Sequence, residues 1–394
     1  MTREAAALAD DILARRLRRG LAATLTANRQ MPSEWKPVFE RVPRHPFVPR
    51  VFVSPANDGL YKPLDGTLPG NRKKWLRAAY TDDICVTQVD GNDDAWHRAL
   101  EEGSVEGEPT CTSSQPSLMA AMLALLDLRD GHRVLEVGTG TGYNAALICE
   151  RLGSAAVSSV DVDAGLVAQA QRALTRLGYS PILAAVDGAA GYPANAPYDR
   201  VVATCSFGRV PISWVEQARP GAVILVNLFR CLGGGILVRL VVSRGGIAQG
   251  RFVADTGGFM PSRAEAPVGT FRLYQRVSGQ DGKSRETDLD PEVLRQPDVR
   301  FLAALMCDDM AELWSEPQEG PEEYWLLSTD GSWARHTGGA VSQGGPRRLW
   351  DQLERGYARW LALGKPTRHR FGLTVTSEGQ ELWIDEPSCP LRAL

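Results

Sequence analysis

A chain of 394 residues, 43% apolar and 23% charged, can bury a large core and is long enough for a catalytic domain with something appended. Its formal charge of −3 supplies no global field for nucleic acid or an anionic membrane, and neither partner is expected. No apolar run approaches a membrane span and "MTREAAALADDILARRLRRG" lacks the apolar centre of a secretory signal, so the expected location is the cytoplasm. Cysteines at 85, 111, 149, 205, 231, 307 and 389 form no CxxC pair, which predicts reduced thiols. The histidines are equally dispersed, with no HExxH, and no metal centre is expected. Residues 4–27 read as a helix, with Leu8, Ile12, Leu17, Leu21 and Leu25 one or two turns apart and a solvated basic face at Arg15, Arg16, Arg18 and Arg19. Prolines and glycines cut 31–75 into short pieces. The acidic stretch 88–110, poor in apolar residues, predicts an exposed loop or lid.

From 114 to 243 the pattern changes. "QPSLMAAMLALLDL", "YNAALICERLG" and "GLVAQAQRALTRLG" read as helices; "RVLEVG", "AVSSVDV", "PILAAV", "YDRVVAT", "AVILVNL" and "GILVRLVVS" read as strands. This alternation predicts an α/β fold of the doubly wound, Rossmann-like kind, whose ligands lie at the carboxyl ends of the strands. After about 280 the text turns polar and then rich in tryptophan (314, 325, 333, 350, 360, 383), with a helical "PRRLWDQLERGYARWLALG" and a hairpin in "FGLTVTSEGQELWID". The expected division is an N-terminal helical and loop region at 1–88, an acidic insertion at 89–110, a ligand-binding core at 111–280 and a small α+β domain at 285–394.

The stretch "VLEVGTGTGYNAAL" joins the first core strand to its helix. A dinucleotide fingerprint needs a third glycine where this chain has Tyr143, and a phosphate-cradling loop needs a GKS or GKT that is absent. What stands there is Glu136-x-Gly138-x-Gly140-x-Gly142, with Thr139 between the first two glycines. Such a turn lets backbone approach a ligand where side chains would clash. Asp161 closes the next strand, where a carboxylate can accept both hydroxyls of a ribose; Asp187 and Gly188 close the one after, where a carboxylate can take a proton of an adenine amino group. Each acid alone reads as a cap or a turn. Together, in strand order, they are the arrangement that holds S-adenosylmethionine.

The segments "VPRHPFVPR" (42–50), "TSSQPSLMA" (112–120), "VLEVGTGTGYNAAL", "LGYSPILAAVDGAAGYPANAPYDRVVATCS" (177–206) and "ARPGAVIL" (218–225) resemble, in order, those of protein-L-isoaspartate O-methyltransferase, over about 5–245. The resemblance implies a class I S-adenosylmethionine-dependent methyltransferase fold with S-adenosylhomocysteine as product. It assigns the cofactor to Glu136, Gly138, Thr139, Gly140, Gly142, Asp161, Asp187 and Gly188, with Thr112 and Ser113 beside them. Ser114, matching the serine of the family's T-I-S-Q-P stretch, is the implied catalytic residue, orienting the attacking carboxylate oxygen. From composition alone Ser114 also reads as the N-cap of the helix that follows.

The implied reaction esterifies an aspartyl or isoaspartyl carboxylate of a peptide. Three departures suggest specialisation: the acidic insertion of about 22 residues, 89–110, between Gln88 and Ser114, Ser113 in place of an aliphatic residue, and the chain beyond 285. Such long variants resemble methyltransferases of ribosomal peptide biosynthesis, of graspetide and lanthipeptide type, in which an ester closes to aspartimide or isoaspartate on a cyclised precursor peptide. That maturation role is the leading expectation. General repair of isoaspartate and a non-catalytic binding module are the alternatives. In the tail, the tryptophans with Arg347 and Arg348 are candidates for a peptide groove, and the formation of a small-domain core is the other reading of those rings.

Overall fold

The computed structural model describes residues 3–54, 59–232, 235–253, 258–265, 268–315 and 321–394. Two compact units are present, Met1–Val202 with Glu216–Val223, and Ala203–Val215 with Ile224–Leu394.

In the first unit the opening helix runs over Arg3–Ala27, as its periodicity predicts. Residues 50–113 then form a five-stranded antiparallel sheet that sequence patterning did not reveal, ordered Val105–Glu106, Leu60–Asp65, Arg50–Val53, Cys85–Val89, Pro109–Ser113. Its strands are two to six residues long, too short for an alternation signal to stand out among the prolines. The acidic stretch is not the loop expected. It carries the helix Asp94–Glu102, whose Ala95, Trp96 and Ala99 pack with Phe52, Val86, Val89 and Val105. Its acids line the outer face, and Gly103 ends it in the left-handed conformation at φ +86°.

The core of this unit is parallel. Val134–Val137 pairs with Val157–Asp161, and that strand with Ile182–Ala185. Tyr198–Phe207 is the neighbour of Val134–Val137 on its other side, so the chain order reverses at the first strand. A reversal of this kind opens a crevice at the carboxyl ends. The helices Tyr143–Leu152 and Ala164–Arg176 connect these strands, as "YNAALICERLG" and "GLVAQAQRALTRLG" predict.

In the second unit Ile236–Val242, Ala248–Phe252, Phe371–Val375, Gln380–Ile384 and Pro390–Ala393 pair antiparallel in that order. The predicted hairpin is therefore present, and through Ala248–Phe252 it shares a sheet with residues well before 285. A second antiparallel sheet is ordered Lys283–Glu286, Ala340–Gly344, Trp333–Thr337, Glu323–Leu327, Ala311–Ser315. Here the core reading of the tryptophans holds: Trp325, Trp333 and Trp350 are at most 2% exposed, and His336 stacks on Trp350 at 5.0 Å. Arg347 is likewise committed, donating to Asp330 at 2.7 Å and to the backbone carbonyls of Asp308 and Asp309. Trp325, Trp333 and Trp350 are therefore spent on a packed interior and leave no face for a peptide groove, and Arg347 is held by neighbours of its own chain. All seven cysteines are free, and no helix among the described residues is long and apolar enough to cross a membrane.

Candidate active site

The turn after Val134–Val137 is built on backbone that only glycine adopts without strain: φ is +95° at Gly138, +49° at Gly140 and +86° at Gly142. A Cβ on Gly142 would lie 2.9 Å from that of Ala170, so the third glycine also lets the following helices close up. Gly138 and Thr139 donate their N–H groups to the carbonyl of Val160, at 2.8 and 3.1 Å, which ties the turn to the next strand. Gly140 donates to Asp161 Oδ2 at 2.8 Å, and Asp163 donates to Asp161 Oδ1 at 3.0 Å. The half-buried Asp161 carboxylate is therefore oriented by the turn it faces. Each of its oxygens has spent one acceptor position and keeps another.

Asp187 is exposed and accepts from the N–H of Ala189 at 2.9 Å. Gly188 after it is buried, and a Cβ there would meet Val137 Cγ1 at 2.3 Å, so the chain passes the first strand at a distance that admits no side chain. The N–H of Val186 donates to the carbonyl of Asp161 at 2.9 Å, which brings the second and third acids to one edge. Sequence reading passed over two apolar residues here: Val162 and Val186 are 54% and 38% exposed beside Asp161 and Asp187. A valine next to each acid, Val162 after Asp161 and Val186 before Asp187, was the available signal.

Glu136 behaves differently from the other acids. It is fully buried: Asn144 donates to Oε1 at 2.7 Å and Ser159 to Oε2 at 2.5 Å. Ser159 is its register partner on the parallel strand, and the Ser159 hydroxyl also bonds that of Thr139 at 2.7 Å. Burial pushes the Glu136 carboxyl up to about 7, against the opposing effect of the two donors. Glu136 and Thr139 therefore brace the turn from within.

The start of the segment leading to Ser114 lies beside this turn: a Cβ on Gly140 would be 3.6 Å from Cys111 Sγ and 3.8 Å from the carbonyl of Thr112. Holding it in place is Arg44, a residue that sequence analysis quoted within a motif but did not single out. Arg44 is 0% exposed. It donates to the carbonyls of Ala79, Thr81 and Asp83, to those of Ser113 and Ser114 at 3.0 Å each, and to Ser113 Oγ at 3.2 Å. Ser113 is thus buried and taken up by Arg44. The half-buried Ser114 hydroxyl makes no hydrogen bond among the described residues. It does not cap the helix Pro116–Leu126 either. Gln115 occupies the cap position, and Asp82 Oδ1 accepts from the N–H of Ser117 at 2.8 Å. Ser114 is left with a hydroxyl available to a ligand, and no group of metal-ligating residues occurs among the described residues.

A family profile described as protein-L-isoaspartate(D-aspartate) O-methyltransferase matches residues 93–230. Protein-L-isoaspartate O-methyltransferase of Xanthobacter autotrophicus is 44% identical over 118 residues, 30% of this chain and 53% of that protein. The enzyme of the same name from Methanosarcina mazei is 37% identical over 117 residues, 29% of this chain and 48% of that protein. The chain thus spans about half the length of these relatives. A solved structure titled protein-L-isoaspartate O-methyltransferase aligns with 94% of this chain and 100% of its own at a TM-score of 0.53 and 20% identity, a likeness of fold. Over residues 93–230, where the glycine turn, the three acids and the Thr112-Ser113-Ser114 segment all fall, the chain carries a domain of the protein-L-isoaspartate O-methyltransferase family.

Proposed function

We propose that this chain is an S-adenosylmethionine-dependent carboxyl O-methyltransferase acting on isoaspartyl or aspartyl residues of polypeptides. The observation that carries the reading is the passage of Cys111 and Thr112, which lead into Ser114, beside a glycine turn whose Gly140 N–H orients Asp161. When bound, the donor supplies a methyl on a positively charged sulfur, which an ionised carboxylate takes with no prior loss of a proton. No general base is then required. Asp161 keeps one acceptor position on each oxygen for a vicinal diol, Val162 and Val186 offer apolar surface to a flat ring, and exposed Asp187 is open to an amino group. Ser114 positions the attacking oxygen through its hydroxyl. Catalysis is chiefly alignment, for which effective molarities of about 10⁵–10⁸ M are attainable.

Between isoaspartyl peptides at large and a single dedicated precursor, the relatives' names favour the first. The solved chain of the same name, aligned over 94% of this one, also removes the weight that the extension beyond 285 lent to the second. The test is mass spectrometry after incubation with the donor and either a generic isoaspartyl peptide or a cyclised precursor peptide. Methylation of the generic peptide is the expected result; methylation of the precursor alone restores the maturation reading, and methylation of neither overturns the activity. Separately, Asp161→Ala is expected to weaken donor binding by about 1.5–3 kcal/mol, the worth of charged hydrogen bonds. Unchanged affinity in calorimetry would remove Asp161 from the ribose contact.

A further inference from the structure

Charge is unevenly placed along this chain. Residues 12–80 contain fourteen Lys and Arg against four Asp and Glu, in a protein whose formal charge is −3. Much of that excess is displayed by two helices of the first unit, Arg3–Ala27 and Arg72–Ala79. Arg72 bonds Asp10 at 3.2 Å, Leu76 and Ala14 share one core cluster, and Arg18 meets Tyr80. Residues 10–18 and 72–80 therefore run side by side in the same direction. Their inner faces, Leu13, Ala14, Leu17 and Leu21 against Trp75, Leu76 and Ala79, are occupied by the core. On the outer faces Arg16, Arg19, Lys73, Lys74 and Arg77 are exposed, with no ion pair or hydrogen bond from their side chains among the described residues. Cations arrayed in this way add up to a local potential that the net charge conceals.

Beside them the surface turns apolar. Leu8 and Ile12, one turn apart, are 63% and 60% exposed. A groove of about 440 Å³ is lined by Leu8, Ala14, His45 and Leu76 together with Asp10, Asp11 and Arg72. Those two acids are already matched by Arg72 and Arg15. We propose that this paired-helix surface docks an acidic polypeptide segment, its carboxylates on Arg16, Arg19, Lys73, Lys74 and Arg77 and an apolar side chain in the groove beside Leu8. The inference rests on the proposed function, in that the docked segment is the substrate's own chain beyond the methylated residue. Two features favour a polypeptide over other polyanions. The aromatic rings here, Trp75 and Tyr80, are 3% and 6% exposed and offer no stacking platform for bases. The main apolar stripe of the first helix is spent on the core, which leaves too little for insertion into a membrane surface.

The test compares two fluorescent isoaspartyl peptides on the full chain, one flanked by Glu, Asp and Leu, the other by Gln, Asn and Ser. The acidic peptide is expected to show a KM on the order of tenfold lower at low salt, the advantage fading as salt rises, with kcat the same for both. The variant R16E/R19E/K73E/K74E should abolish that advantage while leaving kcat and the neutral peptide unchanged. R16Q/R19Q/K73Q/K74Q should do so in part and guards against misfolding of the reversed-charge protein. Equal KM values in the parent, or a preference that survives both variants, overturns the proposal. If neither peptide is methylated the proposed activity fails on its own, and fluorescence anisotropy of the acidic peptide still decides the surface: binding lost in the variants supports it, binding retained refutes it. Loss of binding to a single-stranded oligonucleotide or an anionic vesicle, with acidic-peptide binding intact, reassigns the surface and also refutes it.

Discussion

Replacing Arg44 with methionine is expected to lower the stability of the protein by at least about 3 kcal/mol and to abolish most of the proposed methyl transfer. The guanidinium is wholly buried, and every hydrogen bond it donates among the described residues goes to a carbonyl or to a serine hydroxyl. Removing it strands six acceptors, the carbonyls of Ala79, Thr81, Asp83, Ser113 and Ser114 and the Ser113 hydroxyl oxygen, each costing about 1–3 kcal/mol where water cannot replace the donor. Methionine keeps the stem's volume, so the loss reads out hydrogen bonding more than packing. Lysine is expected to recover only part, because three donors on a flexible stem cannot span acceptors that a planar five-donor fork reaches together. The proposed methyl transfer falls for a second reason: Arg44 fixes the carbonyls of Ser113 and Ser114, on either side of the Ser114 Cα, and with them the backbone from which the Ser114 hydroxyl projects. Chemical denaturation and steady-state kinetics on R44M and R44K check both statements. A variant of unchanged midpoint would show that the segment 112–115 is held by something else.

The second large effect is a pH dependence of stability that belongs to Glu136. Its carboxyl titrates at about 7 in the folded protein, against an ordinary value of 4.5, because burial penalises the charged form. Between these two values the folded state keeps a proton that the unfolded chain has lost, so the stability tied to this proton is complete below about 4.5 and declines as pH rises toward 7. The decline amounts to about 3 kcal/mol. Glu136→Gln, which cannot ionise and retains polar partners for Asn144 and Ser159, is expected to lack this slope. Denaturation of both proteins across that interval measures the difference, and parallel pH profiles would mean that Glu136 is ionised in the fold. Since Glu136 braces the glycine turn, binding of the proposed donor to the folded parent is expected to weaken as pH rises through about 7, where the carboxyl ionises in the fold, and not in Glu136→Gln.

Much of this site could be read from the text because it is local. An acid, three alternating glycines and a helix occupy one short stretch, and the conformation that Gly138, Gly140 and Gly142 adopt is one that side chains resist, so those positions announce themselves. Asp161 and Asp187 were legible as the last residues of β-branched runs in strand–helix alternation. Arg44 was not. Its acceptors come from residues 79–83 and 113–114, and a lone arginine between proline and histidine looks like any surface charge until folding assembles the carbonyls around it. The helix Asp94–Glu102 was hidden by thin evidence of another kind. Two alanines and Trp96 are its whole buried face, and that face acquires meaning only against Phe52, whose ring meets that of Trp96 at 5.1 Å.

Periodicity and backbone restriction in the chain itself determined the α/β core, the place of the turn and the order of the carboxylates, since these depend on neighbours a few residues away. Which acid turns inward and which stays open was decided by tertiary structure alone. Glu136 and Asp161 both lie near the carboxyl ends of parallel strands, but the side chain of Glu136 lies on the side where Ser159 and Asn144 close over it. Asp161, one strand along, is met by backbone N–H groups that leave half of its acceptor capacity toward solvent. Burial of a charged group is a property of the whole surrounding volume, and no stretch of sequence carries that volume in itself.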